Sequence, residues 1–148
     1  MSKVLIVYHT FTGKTKKMAE TLAEGVQSVQ VTEVKIVKAA EAQPDDFAGA
    51  DAVAFGAPNT FGGMAGALRD FFDRAWPVHE KTAGKPAVAF TSENPGETGA
   101  LQEIKKFFPF YGLKSVGEGI STHGDLGENE LKQCRELGRL LGQASKKR

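Results

Sequence analysis

Apolar runs alternate with helix-spaced stripes along nearly the whole chain. Residues 3–8 (KVLIVY) contain a short unbroken β-branched run, the pattern of a strand buried on both faces. Thr15, Met18, Ala19, Leu22 and Val26 then recur at helical spacing within residues 14–28. Residues 31–37 (VTEVKIV) alternate polar and apolar, as an edge strand does, and residues 45–50 after Pro44 predict one or two turns of helix. Residues 52–57 (AVAFGA) read as the next buried strand. Met64, Leu68, Phe71, Phe72 and Ala75 form the clearest helix stripe in the chain. A fourth strand is predicted at residues 87–91 and a fourth helix at 99–108, with Leu101, Ile104 and Phe108 on one face and Pro109 ending it. Residues 114–120 make a poorer strand. Residues 128–141 make a final helix through Leu131, Cys134, Leu137 and Leu141, followed by a frayed, solvated tail, SKKR.

Strands and helices in alternation imply parallel βαβ units with right-handed crossovers. The expected result is one three-layer α/β domain over residues 1–148, since no linker, repeat or change in composition divides the chain. In open parallel sheets ligands bind beyond the carboxyl ends of the strands, where the strand order reverses. The turns after the first, third and fourth strands are therefore where chemistry is expected.

The first of these turns is Thr10-Phe11-Thr12-Gly13-Lys14-Thr15, running straight into a helix. Backbone N–H groups at a helix start, three hydroxyls and a glycine that permits close approach suit a phosphate. A single threonine there would be read as an N-cap; three within six residues point to the phosphate. Other phosphate motifs fail. A P-loop ending in Gly13-Lys14-Thr15 requires a glycine where Tyr8 stands, and no G-x-G-x-x-G follows the strand. A receiver domain needs acidic residues where His9 and Thr10 stand. The only cysteine, Cys134, lies on the last helix, which excludes a cysteine nucleophile in this turn.

Composition narrows the class further. With 148 residues the chain can bury about 68–70% of its unfolded surface, enough for a core without disulfides. Lys plus Arg (19) nearly balances Asp plus Glu (18), which argues against a dedicated nucleic-acid binder. One cysteine rules out an intramolecular disulfide and multi-cysteine metal sites. No stretch approaches the ~20 apolar residues of a membrane span and the opening residues do not form a signal peptide, so a cytoplasmic protein is expected.

The turn at residues 10–15 fits the T-x-T-G-x-T phosphate loop of flavodoxins. Gly56-Ala57-Pro58-Asn59-Thr60-Phe61-Gly62-Gly63-Met64-Ala65-Gly66 resembles the G-x-P-x-x-F-G-x-M loop of quinone-reducing relatives of tryptophan repressor binding protein. The resemblance extends over the whole chain in element order and size. It implies a flavodoxin-like fold with a five-stranded parallel sheet of order 2-1-3-4-5 and a bound FMN; flavodoxins are themselves an example of the switch-point rule. Carried over by position, Thr10, Phe11, Thr12, Gly13, Lys14 and Thr15 hold the phosphate. Pro58, Asn59, Thr60, Phe61 and Gly62 flank the isoalloxazine, and Thr91, Ser92, Glu93, Asn94 and Gly96 supply the third wall. Phe61 is either a ring contact or an ordinary exposed or core phenylalanine. Gly62 and Gly63 allow a peptide to turn over near the ring, and equally suit a loop leading into a helix.

Three departures bear on function. Flavodoxins that serve as carriers tend to be acidic, whereas this chain has a formal net charge of +1. Residues 91–98 (TSENPGET) lack the aromatic that often stacks on the flavin, leaving one face open to a substrate or a neighbouring subunit. The longer quinone-reducing relatives carry an insertion after the fourth strand that helps build a tetramer; it is missing here, so a monomer or dimer is expected. His9 reads as structural, His79 as a surface residue, and His123 (in STHGD) as a residue that could reach the flavin. The expectation is an FMN-binding electron-transfer protein serving a redox partner protein or a small quinone-like acceptor. A small NAD(P)H:quinone-type reductase and a flavin-free binding or regulatory module on the same fold are the alternatives.

Overall fold

The computed structural model describes residues 1–30 and 32–146. Its strands are β1 (Ser2–Tyr8), β2 (Thr32–Lys38), β3 (Ala52–Thr60), β4 (Gly63–Met64), β5 (Pro86–Glu93), β6 (Lys114–Ser115) and β7 (Ile120–His123). Its helices are α1 (Lys14–Gln27), α2 (Pro44–Gly49), α3 (Gly66–Ala75), α4 (Ala100–Lys106) and α5 (Glu128–Lys146), with 3₁₀ turns at Trp76–Lys81 and Pro109–Tyr111. The sheet runs β2-β1-β3-β5, and its fifth position is shared by β6 and β7, all parallel. This is the expected 2-1-3-4-5 order.

Each central strand is buried on both faces because helices cover both. Leu5 and Val7 of β1 join a core with Phe47, Phe55, Phe71, Phe72, Ile104 and Tyr111 beneath α2, α3 and α4. Val4, Ile6 and Tyr8 face the opposite core, with Met18, Leu22, Val26, Phe90, Cys134 and Leu141 beneath α1 and α5. The unbroken apolar run in β1 reflects this two-sided burial. Among the described residues β2 pairs only with β1, and it shows the alternating exposure of an edge strand. Helices α1 and α5 approach at glycines. A Cβ built on Gly138 would lie 1.9 Å from the Leu22 carbonyl oxygen, and one on Gly25 would lie 1.9 Å from that of Arg135.

The structure corrects several local expectations. Met64 belongs to β4 rather than to the helix that its spacing predicts: it pairs with Asn59 across a two-residue turn, and α3 begins at Gly66. Met64 is still buried, so its spacing reported burial correctly and conformation wrongly. The fourth helix ends at Lys106, before Pro109. The strand predicted at 114–120 is two short pieces around residues 116–119, where Gly117 and Gly119 have φ of 72° and 89°. At the chain end Ser145 is buried and its hydroxyl donates to the Gly142 carbonyl, so α5 continues past the predicted 141. Val31, placed in the predicted second strand, and residues 147–148 of the tail lie outside the described residues.

Sequence patterning gave no hint of Lys85. Its side chain is buried, and Nζ donates to the carbonyls of Phe47 and Ala48, each at 2.8 Å, and of Ala50. A cation thereby closes the carboxyl end of α2, where unpaired carbonyls and the helix dipole favour positive charge.

Candidate functional site

Parallel pairing brings the carboxyl ends of β1, β3, β5 and β7 to one edge of the sheet. Tyr8 lies opposite Gly56, Pro58 opposite Ser92, and Glu93 opposite His123. The three turns picked out in the sequence meet there. A cleft of about 220 Å³ is lined by Phe11, Thr12 and Lys14 from the first turn and Pro58 and Asn59 from the second. Ser92, Glu93, Asn94 and Glu97 line it from the third. A neighbouring hollow shares Asn59 and Glu97 and adds Thr60, Phe61, Gly62 and Thr98.

At the first turn the His9 N–H bonds the Gly56 carbonyl (3.0 Å), and the Thr10 hydroxyl accepts the Gly13 N–H (3.0 Å). Gly13, with φ 97°, is the N-cap of α1, and no side chain caps the helix. The reading of a threonine in this turn as the helix N-cap is thereby excluded. The first bond that closes the helix runs from Lys17 N–H to the Gly13 carbonyl (3.0 Å), leaving the Lys14, Thr15 and Lys16 N–H groups without an upstream acceptor. No acidic residue stands in the first turn. A Cβ on Gly13 would meet nothing within 4 Å, so the side of the turn it faces is open. Thr15 is buried and its hydroxyl lies 2.7 Å from Ser92 Oγ, tying the first turn to the third. Lys14 Nζ donates to the Gly124 carbonyl (2.9 Å) and lies 3.6 Å from Asp125, tying the first turn to the loop after β7. His9 packs edge-on to Phe11 with ring centroids 4.6 Å apart, and partial burial lowers its pKa. It is a packing residue, as expected.

The second turn is a β-hairpin whose two central residues, Phe61 and Gly62, both have positive φ, 54° and 82°. Such turns favour Asn-Gly, so a phenylalanine there is strained. Its side chain is fully exposed. The hairpin is gripped from behind. Asn59 Oδ1 accepts the Gly62 N–H (3.1 Å), and Asn59 Nδ2 donates to the Thr98 carbonyl (2.9 Å) and Glu93 Oε1 (3.3 Å). Glu103 accepts the Met64 N–H (3.0 Å). Gly99 lies so close that a Cβ there would be 2.1 Å from the Gly62 carbonyl oxygen.

In the third turn Pro95 and Gly96 (φ 87°) occupy the central positions closed by the Glu97 N–H to Asn94 carbonyl bond (3.0 Å), the residues a type II turn takes. Thr91 and Gly96 line neither hollow. Thr91 is buried in the sheet, its hydroxyl 2.9 Å from Ser121 Oγ. The residues at this edge that sequence reasoning missed are Glu97, Thr98, Gly99 and Glu103, which carry no motif. Nothing in the sequence links His123 to Glu93; the structure places its Nε2 2.9 Å from Glu93 Oε2. His79, by contrast, is remote from the cleft and stacks on Trp76, centroids 3.8 Å apart.

Chemically, the edge offers an anion the unpaired N–H groups of an uncapped helix start, with Thr10 and Thr12 hydroxyls beside them. Next to these it offers a slot with apolar walls from Phe11 and Pro58 and amide and hydroxyl groups at the rim. That combination accepts a phosphate carrying a flat aromatic ring, so the residues present fit FMN. Among the described residues no cluster of His, Cys, Asp and Glu could hold a metal ion, and no helix is long and apolar enough to cross a membrane.

This sheet order and this switch-point cleft define a flavodoxin-like α/β protein. A family profile described as the flavodoxin domain matches residues 5–132, and the chain belongs to that family, whose members bind FMN. It is 34% identical to a "Flavodoxin" of Aquifex aeolicus, over 97% of this chain and 86% of the relative. It is 36% identical to an "NAD(P)H dehydrogenase (quinone)" of Syntrophobacter fumaroxidans, over 87% of this chain and 78% of the relative. Among solved structures, a flavodoxin from the domain Archaea superposes with a TM-score of 0.89 at 23% identity, covering 97% of this chain and 99% of that one. The flavodiiron protein of Giardia intestinalis also gives 0.89, at 22% identity over 98% of this chain but 36% of that larger one. These structural likenesses concern the fold. The sequence relatives place the chain among flavodoxin-like electron-transfer proteins and quinone reductases.

Proposed function

We propose that this chain holds FMN in the cleft where the three turns meet and serves as an electron-transfer protein. The observation that carries the reading is the start of α1, where no side chain caps the helix, no acidic residue occupies the first turn, and N–H groups open beside the cleft. Bound FMN supplies one- and two-electron redox chemistry. The chain supplies binding, orientation and exclusion of water. Lys14, Thr15 and Lys16 N–H groups and the Thr10 and Thr12 hydroxyls take the phosphate. Pro58 and Phe11 wall the ring, Phe61 is placed to cover it from the hairpin tip, and Asn59 and Asn94 offer amides at its edge. Lys14 contributes positive charge while its Nζ braces the loop after β7. We read residues 1–148 as a single flavodoxin-like unit working in the cytoplasm, a reducing compartment in which Cys134 stays a thiol.

A second reading, a small NAD(P)H:quinone-type reductase, is favoured by the third turn. It presents Asn94 and Glu97 rather than an aromatic ring, so the slot is open on that side to a second flat molecule. The partner is a redox protein in the first reading and a quinone-like acceptor in the second. The test has two stages. Purified protein is titrated into FMN; quenching of flavin fluorescence is expected, and its absence would overturn both redox readings and leave the flavin-free binding module. The loaded protein is then mixed with NADH or NADPH and benzoquinone. Turnover selects the reductase, and its absence selects the carrier.

A further inference from the structure

Glu93 ends β5 on the wall of the cleft, and its side chain is 2% exposed. A carboxylate so far removed from water needs partners, and it has two. Asn59 Nδ2 donates to Oε1 (3.3 Å) and His123 Nε2 lies 2.9 Å from Oε2. The same His123 Nε2 lies 3.1 Å from the Glu97 carbonyl oxygen. Both groups facing Nε2 are acceptors, so the neutral imidazole carries its proton there and presents Nδ1 as a lone pair. Nδ1 has no partner among the described residues, and the ring is 42% exposed. One nitrogen thus points at a carboxylate on the cleft wall while the other meets solvent.

Acidic groups gather around this ring. Glu93 on β5, Glu97 in the third turn and Asp125 in the loop after β7 are acidic. Glu97 also accepts the Asn94 N–H (2.6 Å), and Glu103 on α4 is turned to the Met64 N–H. The one lysine lining the cleft, Lys14 on α1, has its Nζ directed to the Gly124 carbonyl and Asp125. Negative charge added to the cleft meets His123 as the imidazole bonded to a carboxylate on its wall; the other imidazole at this edge, His9, packs on Phe11, and partial burial lowers its pKa.

We propose that His123, anchored by Glu93, takes up a proton from solvent when the ligand in the cleft is reduced, and releases it on reoxidation. This inference rests on the flavin reading above. One electron enters from a one-electron reductant. One proton leaves hydronium or a buffer acid, its O–H bond breaking as an N–H bond forms at Nδ1. The added charges cancel, and no other bond of the protein changes. His123 is a positioning residue in this scheme: it acts on the cleft through the Glu93 carboxylate.

The test uses His123→Gln, whose side-chain amide can still donate to Glu93 but cannot accept a proton. Midpoint potentials of FMN-saturated wild-type and H123Q protein are measured from about pH 5 to 8, where an imidazole exchanges its proton. Protons taken up per electron are counted with an indicator dye in weak buffer, and circular dichroism verifies the fold. The wild-type potential is expected to fall with rising pH more steeply than that of H123Q over part of this range. The extra slope approaches a tenfold change in the reduction equilibrium per pH unit, about 59 mV for one electron. The wild type is also expected to take up more protons per electron. Parallel curves and equal proton counts would show that His123 only braces Glu93 and would overturn the inference while leaving FMN binding intact. Wild-type protein that takes up no FMN would refute the flavin reading and this inference with it.

Discussion

Replacing Gly13 with valine separates the role of the first turn in ligand binding from its role in folding. Gly13 sits at φ 97°, where a β-branched residue is an outlier, and such strain costs about 2 kcal/mol. For a chain of this size that lowers Tm by about 4–8 °C. There is no steric clash to add, since a Cβ on Gly13 meets no protein atom within 4 Å. The new side chain instead occupies the open side of the turn, in front of the unpaired N–H groups of α1. Losing two charge-assisted hydrogen bonds to a phosphate, at about 1.5 kcal/mol each, weakens binding by about 3 kcal/mol, roughly a hundredfold or more. Gly84 supplies the control. Its φ is 83°, a Cβ there also meets nothing within 4 Å, and it lies before β5, away from the cleft. Thermal unfolding of the ligand-free variants should show similar losses for Gly13→Val and Gly84→Val. FMN fluorescence titration should show the affinity loss for Gly13→Val alone. Near-wild-type FMN affinity in Gly13→Val, or an equal loss in Gly84→Val, would refute the assignment of this turn to the phosphate.

Three further outcomes follow from the packing. Lys85→Met leaves the Phe47, Ala48 and Ala50 carbonyls without their ammonium partner and should lower stability by about 3 kcal/mol, read as a reduced urea midpoint at constant m; an unchanged midpoint would refute that role. Gly138→Ala drives a Cβ against the Leu22 carbonyl and should destabilise by about 1–3 kcal/mol, clearly more than Gly142→Ala, whose nearest neighbour is a Val29 methyl at 3.0 Å; equal urea midpoints would contradict the close approach of α1 and α5. Burial pushes the Cys134 thiol from its ordinary 9.0 up to about 11, and burial together with Asp73 pushes the Tyr111 phenol from 10.0 to about 12. Both neutral forms are favoured by folding, so their stabilisation is present below about pH 9 and is lost as pH rises through 11 and 12. Denaturation midpoints should be level from pH 7 to 8.5 and fall above pH 9, and a flat profile to pH 11 would count against this.

The near balance of charge takes on more meaning beside the site. A carrier that docks basic partners through a strongly acidic field would need an excess of carboxylates, which this chain lacks. Two large apolar side chains, Phe11 and Phe61, are exposed at the cleft edge. An acceptor recognised at this edge would be met by aromatic surface more than by long-range charge.

Much of the molecule was legible in the order of residues because its causes are local. β1 and β3 announced themselves through unbroken apolar runs, and α1 and α5 through stripes at helical spacing. The Thr10–Thr15 turn was legible because a helix start, hydroxyls and a glycine work within six residues. The same locality misread Met64: its spacing marks burial, and burial serves a hairpin strand as well as a helix. The predicted fifth strand takes its place beside β5 but is split in two, because glycines at positive φ interrupt the pairing, and pairing is a property of two segments.

By itself, then, the sequence determined the alternation of elements, the faces they bury, the parallel sheet and the hydroxyl-rich turn that opens α1. Only the tertiary structure decided that Lys85 would close α2, that Asn59 and Glu103 would hold the hairpin, and that Glu93 would meet His123 on the cleft wall. Each of those contacts joins residues some thirty or more positions apart. A lone lysine, glutamate or histidine carries no periodicity, so its partner emerges only when the sheet has set the register that brings the two together.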